Sequence, residues 1–129
     1  MRVRELMTEE VITIGEDSFL ADGVDKMLQN QVGSIIVLNA DNLPAGIVTE
    51  TDVLSAGHER DEPFSLIPIA DAMTEDIVTV DSGITVRTAV ETMNEHDIKK
   101  LPVVEDFRLV GIVTMTDVIR EHVTLVSEA

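Results

Sequence analysis

GIVTETDV at residues 46–53 and GIVTMTDV at residues 111–118 are one motif written twice. GIVT is a β-branched run too short for a helix, and the Thr-x-x-Asp overlapping its end offers side-chain acceptors at a helix start. Each copy therefore marks a strand running into a helix. Outward from these anchors, LMTEEVITI at 6–14 recurs as AMTEDIVTV at 72–80, an offset of 66 residues that becomes 65 at the GIVT motifs. Val24 matches Val90, Met27 matches Met93, and VGSIIVLN at 32–39 matches IKKLPVVE at 98–105. Two copies of one unit fill the chain. A solenoid needs three or more repeats, so two long copies predict a duplicated module whose halves pack on each other.

Within each copy the hydrophobic period changes twice. Residues 11–14 and 77–80 read as a first strand. Asp17 or Ser18 is the expected N-cap of a helix to about Gln31, with Leu20, Val24, Met27 and Leu28 on one face. The second copy repeats this from Asp81 or Ser82, with Val86, Ala89, Val90 and Met93 inside. SIIVLN and KLPVVE follow as a second strand, NADNLPA and EDFR as turns, and GIVT as a third strand. ETDVLSAG and MTDVIREH open the last helix. The fold class predicted is α/β (α+β), two βαββα repeats at 1–57 and 69–129 joined by a connector at 58–68.

Composition narrows the function. The chain has 129 residues, 44% of them hydrophobic, enough for a core and too many for a disordered protein. No apolar run approaches a membrane span, and the start MRVRELMTEE lacks the apolar stretch of a secretory signal, so a cytoplasmic location is the expectation. Without Cys there is no disulfide, thiol nucleophile or thiolate metal site. Nine Lys and Arg against 25 Asp and Glu give a net charge of −16. That balance, with three Phe and no Trp or Tyr, argues against nucleic acid, whose affinity needs cations and aromatic platforms. The acidity, three Lys and scarce aromatics resemble proteins of halophilic archaea, in which salt screens the self-repulsion.

Thr49 and Asp52, like Thr114 and Asp117, stand three residues apart at a helix start, so both side chains lie near one face of its first turn. An ionised Asp accepts hydrogen bonds without donating, which suits two vicinal ribose hydroxyls. A Thr hydroxyl and the N–H groups of a helix start favour a phosphate or carboxylate. Together they suggest a nucleotide. The same pair is also an ordinary capping arrangement, and both readings stand at this point.

The duplicated βαββα unit, with LMT before the first strand, LPVV in the second and GIVTxTDV at the turn, resembles a tandem pair of CBS domains, the cystathionine β-synthase type regulatory module or Bateman module. The resemblance implies pseudo-twofold packing and two clefts between the repeats in which adenosine-containing ligands bind. It also implies pairs that dimerise further. Site positions carried over are Thr8, Val11, Thr13, Val32, Gly33, Thr49 and Asp52 in the first copy, and Thr74, Ile77, Thr79, Ile98, Lys99, Lys100, Thr114 and Asp117 in the second. In similar modules the strand-flanking segments clasp adenine. For Val11, Val32, Ile77 and Ile98 core packing is an equal reading, and Thr13 and Thr79 also read as exposed strand residues. Lys99 and Lys100 replace Gly33 and Ser34, so two inequivalent sites, or one occupied, are expected. The Lys pair is expected to face the phosphate of a nucleotide whose ribose Asp52 holds, with ligands of low charge favoured.

His58, His96 and His122 lack metal-pair spacing, HERDE at 58–62 reads as solvated connector, and Glu121 and His122 lie where the end frays. No Ser-His-Asp arrangement or glycine-rich phosphate loop is visible, so no catalytic residue, metal or required cofactor is expected. The expected function is a non-catalytic sensor for AMP, ATP or S-adenosylmethionine that signals to an effector protein. The alternative is a ligand-free structural module for oligomerisation. A homodimer, helix on helix through Val53, Leu54, Val118 and Ile119, is predicted, with no nucleic acid and no membrane partner.

Overall fold

In the computed structural model, which describes the backbone of residues 1–128 and the side chains of residues 1–121, the chain forms two compact units. One is residues 12–77. The other joins residues 1–11 to residues 78–129.

In the unit of residues 12–77, β1 (Thr13–Gly15) leads to α1 (Leu20–Asn30), β2 (Ser34–Leu38), β3 (Pro44–Thr49) and α2 (Glu50–Glu59). A short helix α3 (Ile69–Ala72) closes it. β2 lies between β1, which it meets in parallel, and β3, which it meets antiparallel. The other unit repeats the order with β4 (Val80–Asp81), α4 (Val86–His96), β5 (Lys100–Glu105), β6 (Arg108–Thr114) and α5 (Met115–Glu128). Its sheet runs β4-β5-β6 with the same senses. The βαββα reading and the mixed α/β class are both observed. His122 lies outside the described side chains.

Ile14, Leu20, Met27, Ile35, Val37 and Val48 form one core, and Val80, Ala89, Met93, Leu101, Val103 and Val113 form the other. Each core takes a residue from a segment that precedes the other repeat's first strand. Ile67 and Ile69, in the stretch ahead of the second repeat, are fully buried in the unit of residues 12–77. Val3, ahead of the first repeat, is fully buried in the other. Burying one such aliphatic side chain contributes about 1.5–3 kcal/mol.

Backbone pairing fixes these segments in the same way twice. Leu20 N–H donates to Ile67 O at 2.8 Å and Ile69 N–H to Ser18 O at 2.9 Å; Val86 N–H donates to Met1 O and Val3 N–H to Ile84 O, both at 2.9 Å. This pairing corrects the expected helix starts. Phe19 and Thr85 are held extended by bridges to Pro68 and Arg2, so the cap of α1 falls one to two residues later than Ser18 or Asp17 and the cap of α4 three to four later than Ser82 or Asp81. Phe19 occupies the cap of α1, its N–H bonded to Asp22 Oδ2 at 3.1 Å, and Thr85 caps α4 through Thr88 N–H at 3.1 Å. The first strands also start later, at Thr13 and Val80. Leu28 does not join the core face and is 72% exposed.

The repeated glycine of GIVT has its reason in the same exchange. Met73–Thr74 cross β3, where Thr74 and Ile47 trade backbone hydrogen bonds at 2.9 and 3.0 Å; Thr8 and Ile112 trade them over β6, both at 2.9 Å. A Cβ at Gly46 would stand 2.6 Å from Met73 Sδ and 2.9 Å from Thr74 O. At Gly111 it would stand 2.6 Å from Met7 Sδ and 3.0 Å from Thr8 O. LMT and GIVT are two sides of one contact, made by each unit with the leading segment from beyond its own repeat.

Among residues 58–62, Arg60 alone is half-buried and joins Asp71 at 2.7 Å and Glu62 at 2.9 Å. The Asp71 hydrogen bond raises the Arg60 guanidinium above its ordinary pKa against a smaller opposing effect of desolvation. The other four residues there are exposed, as a solvated stretch would be.

Candidate functional site

Both Thr-x-x-Asp pairs sit where a strand ends and a helix begins. Asp52 Oδ2 accepts Thr49 N–H at 2.8 Å and the Thr49 hydroxyl at 3.0 Å, while Asp52 N–H donates to Thr49 Oγ1 at 3.3 Å. Asp117 Oδ2 accepts Thr114 N–H at 3.0 Å and Asp117 N–H donates to Thr114 Oγ1 at 3.1 Å. The capping arrangement is therefore realised twice, as a reciprocal box. It engages Oδ2 and fixes each carboxylate's orientation. Oδ1 of Asp52 stands 3.5 Å from the Thr74 hydroxyl; Oδ1 of Asp117 stands 3.9 Å from an Arg120 guanidinium nitrogen.

Around Asp52 the structure gathers Thr49, Thr74 and the Val32–Gly33 pair, whose Gly33 O accepts Glu50 N–H at 3.2 Å. Around Asp117 it gathers Thr114 and the Ile98–Lys99 pair, whose Lys99 O accepts Met115 N–H at 2.9 Å. Thr8 belongs with this second group, since it pairs with Ile112 on β6 two residues before Thr114. The residues of one repeat in sequence thus divide between units: Thr8 and Val11 fall in the unit of Asp117, Thr74 and Ile77 in the unit of Asp52. Lys99, expected opposite Asp52, shares a compact unit with Asp117.

The remaining candidates lie further off. Thr13 on β1 pairs with Ile36 of β2, and the two strand spacings between β1 and β3 amount to about 10 Å. Its carbonyl accepts Lys26 Nζ at 2.8 Å. Thr79 is exposed just before β4. Val11 and Ile77 are half-buried, each N–H turned back to the carbonyl two residues earlier. Val32 is 37% exposed, whereas Ile98 packs on its core. Lys99 is exposed and Lys100, the first residue of β5, half-buried.

Two charged neighbours of the motifs escaped the sequence reading. Glu50 places Oε1 2.5 Å from where a Cβ on Gly33 would stand, and its counterpart is Met115. Arg120 folds back on Asp117 from one turn along α5, and its counterpart is Ser55. Superposing the repeats and comparing charge, not only hydrophobicity, marks both positions. Among the described residues no three His, Asp or Glu come together as a metal group, and no helix is long and apolar enough to cross a membrane.

Comparison with known proteins agrees with this architecture. The CBS domain family matches residues 3–59 and 69–123, and the chain belongs to that family. An uncharacterized protein of Methanocaldococcus jannaschii is 33% identical over 118 residues, or 92% of this chain; the chain spans 41% of that relative's length. Among solved structures, a CBS domain protein of Pyrobaculum aerophilum complexed with AMP is 25% identical, with a TM-score of 0.86 over 98% of this chain and 97% of its own. A CBS domain pair in complex with 5′-methylthioadenosine and S-adenosylmethionine has the same fold, with a TM-score of 0.83 over 95% of each chain at 22% identity.

Proposed function

We propose that the chain is a non-catalytic regulatory module that binds an adenosine-containing ligand of the AMP, ATP or S-adenosylmethionine class and signals the occupancy to a partner protein. The observation that carries this reading is the reciprocal Thr-x-x-Asp box found in both units, which holds one carboxylate oxygen by the helix start and leaves the other in a long contact, to Thr74 or Arg120, that a ribose diol can replace. Thr49, Asp52 and Thr74 with Val32 and Gly33 form one proposed site. Thr8, Thr114 and Asp117 with Ile98, Lys99 and Lys100 form the other. Val11, Thr13, Ile77 and Thr79 are proposed to border the adenine. Support comes from family membership and from the AMP carried by the Pyrobaculum relative.

Exposed Leu54 and Ile119, 74% and 59% accessible, support a homodimer formed through α2 and α5. Beside Leu54, α1 and α2 border an apolar groove of about 520 Å³ that includes Val24, Met27, Leu28 and Val53. We read the location as cytoplasmic and the net charge of −16 as an adaptation to high salt. We read the repeats 1–57 and 69–129, with 58–68 joining them, as the units of duplication, distinct from the units that fold.

The test is a thermal-shift screen in about 2 M KCl with AMP, ADP, ATP and S-adenosylmethionine. A ligand binding only the folded state at 100 times its Kd adds about 2.7 kcal/mol. Asp52→Ala and Asp117→Ala should each remove one binding event in calorimetry. No shift with any adenosine compound would leave the module as an oligomerisation device only. The same instrument tests the salt reading: the melting temperature should fall as KCl drops from about 2 M to about 0.1 M.

A further inference from the structure

The two Asp sites sit on the same backbone but differ in the charges carried at equivalent positions. Beside Asp117, α5 carries Arg120 within 3.9 Å of the carboxylate, and the strand segment hydrogen-bonded to the start of α5 carries Lys99 and Lys100. These are three of the chain's nine Lys and Arg. At the equivalent positions beside Asp52 stand Ser55, Gly33 and Ser34, none charged, and Glu50 adds a second carboxylate where the other unit has Met115. In a chain of net charge −16, Arg120 beside Asp117 and the adjacent Lys99 and Lys100, of which at most one can face the site because neighbouring side chains alternate along a strand, have no cationic counterpart beside Asp52, and this difference sets the sign of the charge each site will accept.

Resting on the adenosine reading above, we propose that the two sites select ligands by charge: the Asp117 site takes an adenosine carrying a phosphate, and the Asp52 site takes an adenosine that is uncharged or cationic at its 5′ end. Arg120 is the specificity-determining residue. Its guanidinium bridges toward Asp117 in this structure and offers a planar fork to a phosphate once the Asp engages a ribose diol. At the other site a phosphate would meet Glu50 and Asp52 with no cation at the matching positions. A sulfonium or a neutral thioether would not be repelled there.

Calorimetric titration in about 2 M KCl with AMP and with 5′-methylthioadenosine tests this on two single-site proteins. Asp52→Ala, which keeps the Asp117 site, should favour AMP at least tenfold; Asp117→Ala should favour 5′-methylthioadenosine by a similar factor. Adding Arg120→Ser and Lys99→Gly to Asp52→Ala should erase the preference for AMP while 5′-methylthioadenosine still binds. Equal preferences in the two single-site proteins, or an unchanged ratio after the Arg120 and Lys99 substitutions, would overturn the proposal while leaving adenosine binding intact. Absence of binding by either compound to the unsubstituted protein would instead remove the reading on which it rests. Should either Asp variant unfold, Arg120→Ser alone decides the matter. It changes an exposed side chain, and must weaken AMP about tenfold at one of two sites without altering 5′-methylthioadenosine.

Discussion

The unit of residues 12–77 and the unit built around residues 78–129 have the same strand order, the same capping boxes and the same crossing of a Met-Thr segment over a glycine, yet Asp52 has the Thr74 hydroxyl beside its Oδ1 where Asp117 has the Arg120 guanidinium. The shared features are those in which backbone geometry leaves one residue type. Several of the divergent ones, Glu50, Ser55, Lys99 and Arg120, sit on exposed positions, where a change of polar residue costs little stability. Duplication therefore conserves the scaffold of a site while its charge drifts or is selected.

The strongest way to break this equivalence is in the cores. Ile69→Ala should destabilise its unit by about 2–5 kcal/mol, and Val3→Ala, at the matching position, by about 2 kcal/mol. Urea unfolding followed by hydrogen exchange resolves which amides lose protection. For Val3→Ala they should be those of β5 and β6, and loss confined to β2 and β3 would contradict the exchange of leading segments. Next in size, Gly46→Val and Gly111→Val should each cost about 1–3 kcal/mol, because part of the clash is with backbone carbonyls that cannot swing away. Gly15, with nothing within 4 Å of an added Cβ, is the control, and an Ala there should leave the urea midpoint almost unmoved.

A smaller effect sharpens the comparison of the sites. Thr49→Ala and Thr114→Ala should each lose about 1 kcal/mol as helix caps, read from the same urea curves. A much larger loss at Thr49 alone would mean that its extra hydroxyl bond to Asp52 has no equivalent at Thr114. Smallest of all is Arg60→Met, since the pairs to Glu62 and Asp71 are solvent-exposed. Because the folded-state pKa of Arg60 is raised, its stabilisation is complete below the unfolded value and fades only as the pH rises through the guanidinium's own titration. The shift in melting temperature on Arg60→Met should therefore be the same at pH 6 and pH 9.

Much of the site was legible because the duplication acts as an internal alignment. GIVTETDV and GIVTMTDV fixed the strand-to-helix turn, and the Thr and Asp positions followed from helix geometry. Leu28 was misplaced because helical periodicity gives a stripe but not its edge, and nothing beyond α1 and α2 covers that position within its unit. The helix starts were misplaced for another reason. Asp17 and Asp81 are good caps by local chemistry, but pairing of Ser18 with Ile69 and of Ile84 with Val3 outweighs a cap of about 1 kcal/mol.

From the amino-acid sequence alone came the duplication, the βαββα order, the family and the Thr and Asp that start α2 and α5, because all of these rest on local periodicity and on agreement between two copies. The tertiary structure alone decided that Met1–Val11 folds with the second repeat, that residues 67–77 fold with the first, and hence that Thr8 accompanies Asp117 and Thr74 accompanies Asp52. A leading segment could pair with either repeat by local chemistry, since both offer the same glycine strand. Which one it joins is settled by chain connectivity and core packing between segments far apart in sequence, from Ile47 with Thr74 to Thr8 with Ile112, a range at which hydrophobic pattern carries no information about partners.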